Sequence, residues 1–105
     1  MMNVVQTINL FHEDNTKERE WDFHQYGIAG KLMDLLVKNF PHYLYEDSDK
    51  KWDDLREGKN FELTLIAFRK ENAEIDVMAP SIYFKSEGYR DIVWFIDKQY
   101  EKVSQ

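Results

Sequence analysis

The 105-residue chain contains no cysteine, only two prolines and four glycines, and no long uninterrupted apolar segment. The absence of cysteine excludes a disulfide framework, a zinc-thiolate site and a cysteine nucleophile, and it favours a reducing compartment. The first residues have neither the basic start nor the apolar run of a signal peptide, and nothing approaches the ~18 apolar residues of a membrane span. We therefore expect a soluble, cytoplasmic protein.

The few glycines lack the arrangement that a nucleotide-binding loop requires. They stand at positions 27, 30, 58 and 88, whereas a phosphate-binding loop places its glycines together before a helix so that backbone amides converge. Residues 47–49, Asp-Ser-Asp, start like a calcium loop of the EF-hand type. Lys51 and Trp52 then stand where a calcium ligand and a glycine are needed, so calcium binding is disfavoured.

Residues suited to catalysis or metal binding are equally sparse. Among the three histidines, His24 has Glu20 one helical turn away, a spacing that could chelate a metal from one helix but is more commonly that of a solvated surface pair. No serine or threonine stands in a recognisable nucleophile motif, and nothing selects two of the 20 carboxylates as a glycosidase-like pair. We expect no cofactor and no metal, and we favour a non-enzymatic function over catalysis.

Aromatic and charged residues are abundant. The chain has 3 Trp, 6 Tyr and 7 Phe, 32% charged residues and a net charge of −6. Apolar side chains recur in every segment and alternate with charged ones, which is the pattern of a folded globular chain. The length is that of one domain, so residues 1–105 are interpreted as a single unit.

Apolar spacing predicts the order strand, helix, short helix, strand, strand, helix. The predicted ranges are Val4–Phe11, Asn15 to Pro41 with a capping box to Glu18, Asp47–Gly58, Phe61–Lys70, Glu74–Met78 and Ile92–Val103. Because Pro80 cannot donate a ladder hydrogen bond, Ser81–Lys85 either continues the preceding strand past a bulge or forms a separate one. This order predicts an α+β fold, a small, largely antiparallel sheet with helices packed on one face.

The helical stripe of the first long helix and the predicted core follow from the same spacing. The stripe consists of Trp21, Ile28, Leu32, Leu35, Leu36 and Phe40. The residues expected in the core are Trp21, Leu32, Leu36, Phe61, Leu63, Leu65, Ile92, Phe95 and Ile96.

Acidic residues are concentrated in two stretches, 13–22 and 46–57, each with a net charge of about −3. A surface of this sign repels the phosphates of nucleic acids and attracts basic proteins. Its simpler interpretation is a solvated face that promotes solubility. Aromatic residues lie near both stretches, and Trp and Tyr are enriched in interfaces because they bury a large area at little entropic cost.

The second stretch therefore supplies the predicted contacts with a basic protein partner. They are the aromatic anchors Tyr43, Tyr45 and Trp52 and the acidic residues Asp47, Asp49, Asp53, Asp54 and Glu57. In size, acidity and lack of a catalytic motif the chain resembles the immunity proteins that neutralise bacterial nuclease toxins, and phage inhibitors that mimic nucleic acid. This resemblance implies an inhibitor. The alternatives are a small enzyme or ligand-binding domain with a pocket between sheet and helices, and a domain that self-associates through its aromatic face.

Overall fold

The structure, a computed structural model, describes residues 3–12, 17–23, 28–46, 48–56, 60–71, 74–78 and 80–104. Its strands are β1 (Asn3–His12), β2 (Lys17–Phe23), β3 (Asn60–Glu71), β4 (Glu74–Met78) and β5 (Ser81–Lys85). Its α-helices are α1 (Ile28–Asn39), α2 (Ser48–Arg56) and α3 (Tyr89–Ser104). Two short 3₁₀ turns, Pro41–Tyr43 and Ser86–Gly88, follow α1 and precede α3. The predicted α+β fold is confirmed.

The five strands form one antiparallel sheet in the order β2-β1-β3-β4, with β5 also paired to β3. Strand β3 is the longest, with 12 residues, and its apolar and polar residues alternate from Phe61 to Leu65. In the central register Ile8 pairs with Trp21 on one side and Leu65 on the other. These three side chains are buried and point toward the same core.

Strands β4 and β5 lie end to end along the same edge of β3. Ala67 pairs with Met78, and Thr64 pairs with Ser81, so the register is the same on both sides of Pro80. The backbone N–H of Leu65 donates to the carbonyl of Pro80 at 3.0 Å, but a proline nitrogen carries no proton with which to return the bond. Strands β4 and β5 therefore keep the same register along β3, and Ser81–Lys85 is the separate strand that was one of the two predicted alternatives.

Helices α1 and α3 pack on one face of the sheet and form the core with it. The buried apolar residues are Ile8, Leu10, Trp21, Phe23, Ala29, Leu32, Met33, Leu36, Leu63, Leu65, Phe84, Ile92, Val93 and Ile96. The predicted core is confirmed for seven of its nine residues, while Phe61 and Phe95 are half-buried against this cluster. None of the described helices is both long and apolar enough to cross a membrane.

The prediction of a helix from Asn15 is wrong, because Lys17–Phe23 forms the edge strand β2 and α1 begins only at Ile28. Trp21 and Phe23 point inward with Asp22 between them, which is the two-residue period of a strand. Asn15 lies outside the described residues, so the capping box cannot be located there, and Glu18 is on β2. Leu35, assigned to the apolar stripe, is 39% exposed.

Candidate partner-binding surface

Helix α2 is attached to the beginning of β3 by a buried asparagine. Asn60 is fully buried, and its side-chain N–H donates to the carbonyl oxygen of Lys51 at 3.3 Å. Its amide oxygen accepts a hydrogen bond from the hydroxyl of Tyr45. Because both functional groups of this buried amide are paired, the segment before α2 and the helix itself are held against the sheet.

The two predicted tyrosine anchors have structural contacts within the chain. Tyr45 is half-buried, and its N–H donates to the carbonyl of Tyr83 at 3.3 Å, beside the bridge between Leu44 and Phe84. The hydroxyl of Tyr43 donates to Asp91 Oδ2 at 2.9 Å. This hydrogen bond and the charge of Asp91 raise the pKa of Tyr43. Both hydroxyls are thus engaged before any partner arrives.

Trp52, the third predicted anchor, has a different environment. Its side chain is 51% exposed on α2, and its ring centroid lies 6.4 Å from that of Tyr83 with the planes tilted by 49°. The ammonium nitrogen of Lys51 lies 4.5 Å from the Trp52 centroid and 3.9 Å from the Tyr83 centroid. We call Lys51, Trp52 and Tyr83 the cation-aromatic cluster, since both distances are within the range of cation–π attraction.

Tyr83 joins this cluster to the sheet face opposite α1 and α3. Its neighbour Phe84 is buried in the core, and successive strand residues point to opposite faces, so Tyr83 points away from the core. Burial raises the pKa of Tyr83, and the negative charge of Glu62, its cross-strand partner, raises it further. A carboxylate therefore lies close to the aromatic cluster.

Glu62 belongs to a group of polar residues on this opposite face. Its Oε1 accepts hydrogen bonds from Ser81 Oγ at 2.6 Å and from Thr64 Oγ1 at 2.8 Å, and the two hydroxyl oxygens are 3.2 Å apart. Thr64 pairs across the strands with Asn9, which is 3% exposed. Within the described part of the chain, Asn9 Oδ1 is buried without a hydrogen-bond partner, which is costly for an amide oxygen.

The structure brings together only part of the predicted acidic contact set. Asp49 and Asp53 are exposed on α2, on either side of Trp52 in sequence. Asp47 and Glu57 lie outside the described residues, and so does the side chain of Asp54. Sequence reasoning missed Lys51, Tyr83 and Glu62. Strand alternation in Ser81–Lys85 would have placed Tyr83 opposite Phe84, but the sequence does not reveal that α2 lies beside it.

Metal binding receives no geometric support in the described ranges, where no three His, Cys, Asp or Glu side chains are grouped to hold an ion. Glu20 is exposed on β2 and lies 3.9 Å from the Lys17 ammonium, while His24 lies outside the described residues. Residues 48–56 are helical, so Asp49 does not belong to a calcium-binding loop.

No family model, no curated protein and no solved structure matches this chain. The chemistry of the described surface is therefore what bears on function. That surface combines an exposed tryptophan, a half-buried tyrosine and carboxylates on a helix that is fixed to the sheet, and this combination is suited to binding a cationic protein surface.

Proposed function

We propose that this protein is a non-enzymatic acidic binding protein, an inhibitor or immunity protein that neutralises a basic, nuclease-like toxin or enzyme by occupying its cleft. The observation that carries the proposal is the exposed Trp52 on α2, with Asp49 and Asp53 exposed on the same helix. Tryptophan is among the residues that most often dominate binding energy at interfaces. Asp49 and Asp53 favour a partner of positive charge, while Lys50, also exposed on α2, opposes them.

The charge of the chain supports the same proposal. The net charge is −6, and an enzyme that cleaves nucleic acid needs a basic cleft to hold the phosphates. Opposite charges accelerate association by electrostatic steering, with rates that fall as salt is added. The tryptophan would then slow dissociation, because most differences in affinity between related interfaces lie in the dissociation rate.

The experiment is a pull-down with the tagged protein from its native host, washed at low and then at high salt, followed by binding measurements with the recovered protein. The test variant is D53K/D54K, and Trp52→Ala tests the aromatic anchor. The matched control is D34K/E101K, which changes the net charge equally at two exposed residues of α1 and α3.

One stoichiometric basic protein that is lost with D53K/D54K but retained by D34K/E101K would support the proposal. If both double variants retained the basic protein equally, the α2 surface would not be the contact region. Loss with both would show that overall charge, and not this surface, governs binding. Recovery of no basic protein would overturn the inhibitor proposal.

Self-association is the second candidate, and exposed apolar residues of the helix layer favour it. Trp94 on α3 is 62% exposed and Val37 on α1 is 51% exposed. Large exposed aromatics often belong to interfaces. Light scattering over a range of concentrations tests this candidate: a dimer that Trp94→Glu converts to a monomer supports it, and a monomer at every concentration rejects it.

A further inference from the structure

The cation-aromatic cluster already binds a cation that belongs to the chain itself. The Lys51 nitrogen lies over both rings, at 3.9 Å from Tyr83 and 4.5 Å from Trp52. Tyr83 is a β5 residue, so the cluster joins α2 to the sheet and is not merely a contact between sequence neighbours. Two rings around one ammonium group form the arrangement by which proteins recognise alkylammonium ligands.

The exposed ring and the nearby charge make this cluster accessible and selective for positive groups. Trp52 is about half exposed, so a side chain from outside can reach its face. Glu62 is the cross-strand neighbour of Tyr83 and influences its ionisation. Asp49 and Asp53 add exposed negative charge on α2, and the exposed Lys50 of the same helix offsets part of it. If the lysine moved away, two aromatic faces beside carboxylates would remain.

We propose that Trp52 and Tyr83 receive a lysine or arginine side chain of the basic partner, and that Lys51 is an internal occupant which this side chain displaces. The inference rests on the proposed function and specifies its contact chemistry. Lys51 has a long flexible stem and a strongly hydrated head, so it moves into water at little cost. A guanidinium group stacks on aromatic rings better than an ammonium group does, so arginine is the favoured occupant.

The test uses the isolated protein and a small probe, so it does not depend on finding the partner. The probe is Nα-acetyl-arginine methylamide, and the uncharged citrulline analogue is the ligand control. Binding is followed by the NMR shift of the Trp52 indole N–H during titration. Lys51→Met removes the charge and keeps most of the stem, and it should tighten arginine binding about two- to fivefold, the range expected for one exposed cation–π contact.

Substitutions of Tyr83 test whether arginine binding needs both rings of the cluster or Trp52 alone. Tyr83→Phe keeps the ring and should bind the probe as the parent protein does, whereas Tyr83→Leu should abolish the shift at Trp52. Trp94 supplies a matched control in the same molecule, because Lys98 lies 5.8 Å from its ring and no second ring contact is found there among the described residues. Lys98→Met should leave the response of Trp94 to arginine unchanged.

The outcomes are distinct from those of the pull-down. Tighter arginine binding by Lys51→Met, with loss in Tyr83→Leu and no response to citrulline, supports the inference. Unchanged or weaker binding by Lys51→Met overturns it, and weaker binding would indicate that Lys51 itself contacts a ligand. A melting curve for each variant verifies folding, and if Tyr83→Leu does not fold, the comparison of Lys51→Met with the parent protein, in which both rings are present, still tests the inference. Failure here would leave the D53K/D54K result intact.

Discussion

Substitution of Asp97 should detach helix α3 from the edge strand β2 and destabilise the domain measurably. The carboxylate accepts hydrogen bonds from Arg19 Nη1 at 2.9 Å, Arg19 Nη2 at 2.6 Å and Trp21 Nε1 at 2.8 Å. The arginine guanidinium also lies 4.7 Å from the centroid of the Trp21 ring. One side chain of α3 thus fixes two side chains of a strand that has a neighbour on only one side.

The expected loss in the free energy of unfolding of Asp97→Ala is estimated from the contacts that Trp21 and Arg19 lose. Trp21 is 2% exposed, so its indole N–H would be left buried and unpaired, at a cost of about 1–3 kcal/mol. The ion pair with Arg19 adds less, because its side chains are 40% and 35% exposed and water screens such pairs to about 0–1 kcal/mol. We expect a total loss of about 2 kcal/mol in the free energy of unfolding.

The assay is urea unfolding followed by circular dichroism at pH 7, with Trp21→Phe and the double variant D97A/W21F. The cost of Asp97→Ala should shrink to about 1 kcal/mol in the Trp21→Phe background, since no indole is then left unpaired. A loss below about 0.5 kcal/mol in the parent background, within the range of ordinary surface substitutions, would refute the argument. Equal losses in both backgrounds would show that Trp21 does not depend on Asp97.

The pH dependence supplies an independent check on the same carboxylate. Burial alone would raise the pKa of Asp97, but hydrogen bonds from Arg19 and Trp21 and the charges of Arg19 and Lys98 outweigh it and lower the pKa below 3.8. A lowered pKa in the folded state means that the stabilisation is present above pH ~4 and is lost as the pH falls through the folded value. The parent protein and Asp97→Ala should therefore converge in stability in acid.

Three further predictions concern single positions. Gly88→Ala would place a methyl group 2.6 Å from Tyr43 Cβ and 2.7 Å from its Cδ2, atoms too near the backbone to swing away, so thermal unfolding should report a loss of about 1–3 kcal/mol. Gly30→Ala meets no atom within 4 Å and should gain up to about 1 kcal/mol in the same assay, whereas a loss would show hidden crowding. Asn9→Val removes the unpartnered oxygen and should stabilise the protein by about 1 kcal/mol in urea; destabilisation would reveal a partner for that oxygen.

The sequence correctly predicted those helices and strands in which the spacing of apolar residues follows a clear helical or strand period. The alternation from Phe61 to Leu65 in β3 and the helical spacing of α3 are clear, and both elements were predicted within a few residues of their ends. Strand β2 was missed because its first four residues, 17–20, are all exposed and charged, so only Trp21 and Phe23 show the alternation. Trp21 also lies seven residues before Ile28, and this spacing equals about two helical turns, so it indicated a helix.

The candidate surface was predicted only in part, because local sequence patterns do not show how α2 is placed against the sheet. That Trp52 lies on a short amphipathic helix follows from the sequence, but its exposure depends on where that helix is fixed. Asn60 fixes it, through the Lys51 carbonyl and the Tyr45 hydroxyl, and no local pattern reveals a contact between residues so different in type. Contacts across the chain decide which of the sixteen aromatic side chains are exposed.

The alternation of β5 separates the residues that stabilise the domain from those proposed to bind. Phe84 points into the core between sheet and helices, and Tyr83 points to the opposite face with Glu62 beside it. Asp97 and Gly88 act on the helix side, so their substitution should alter unfolding and leave arginine binding at Trp52 intact below the melting temperature. Lys51→Met should alter arginine binding at Trp52 and leave unfolding unchanged. If one substitution changed both properties together, the face opposite α1 and α3 would be coupled to the core, and the two sets of residues would not be separate.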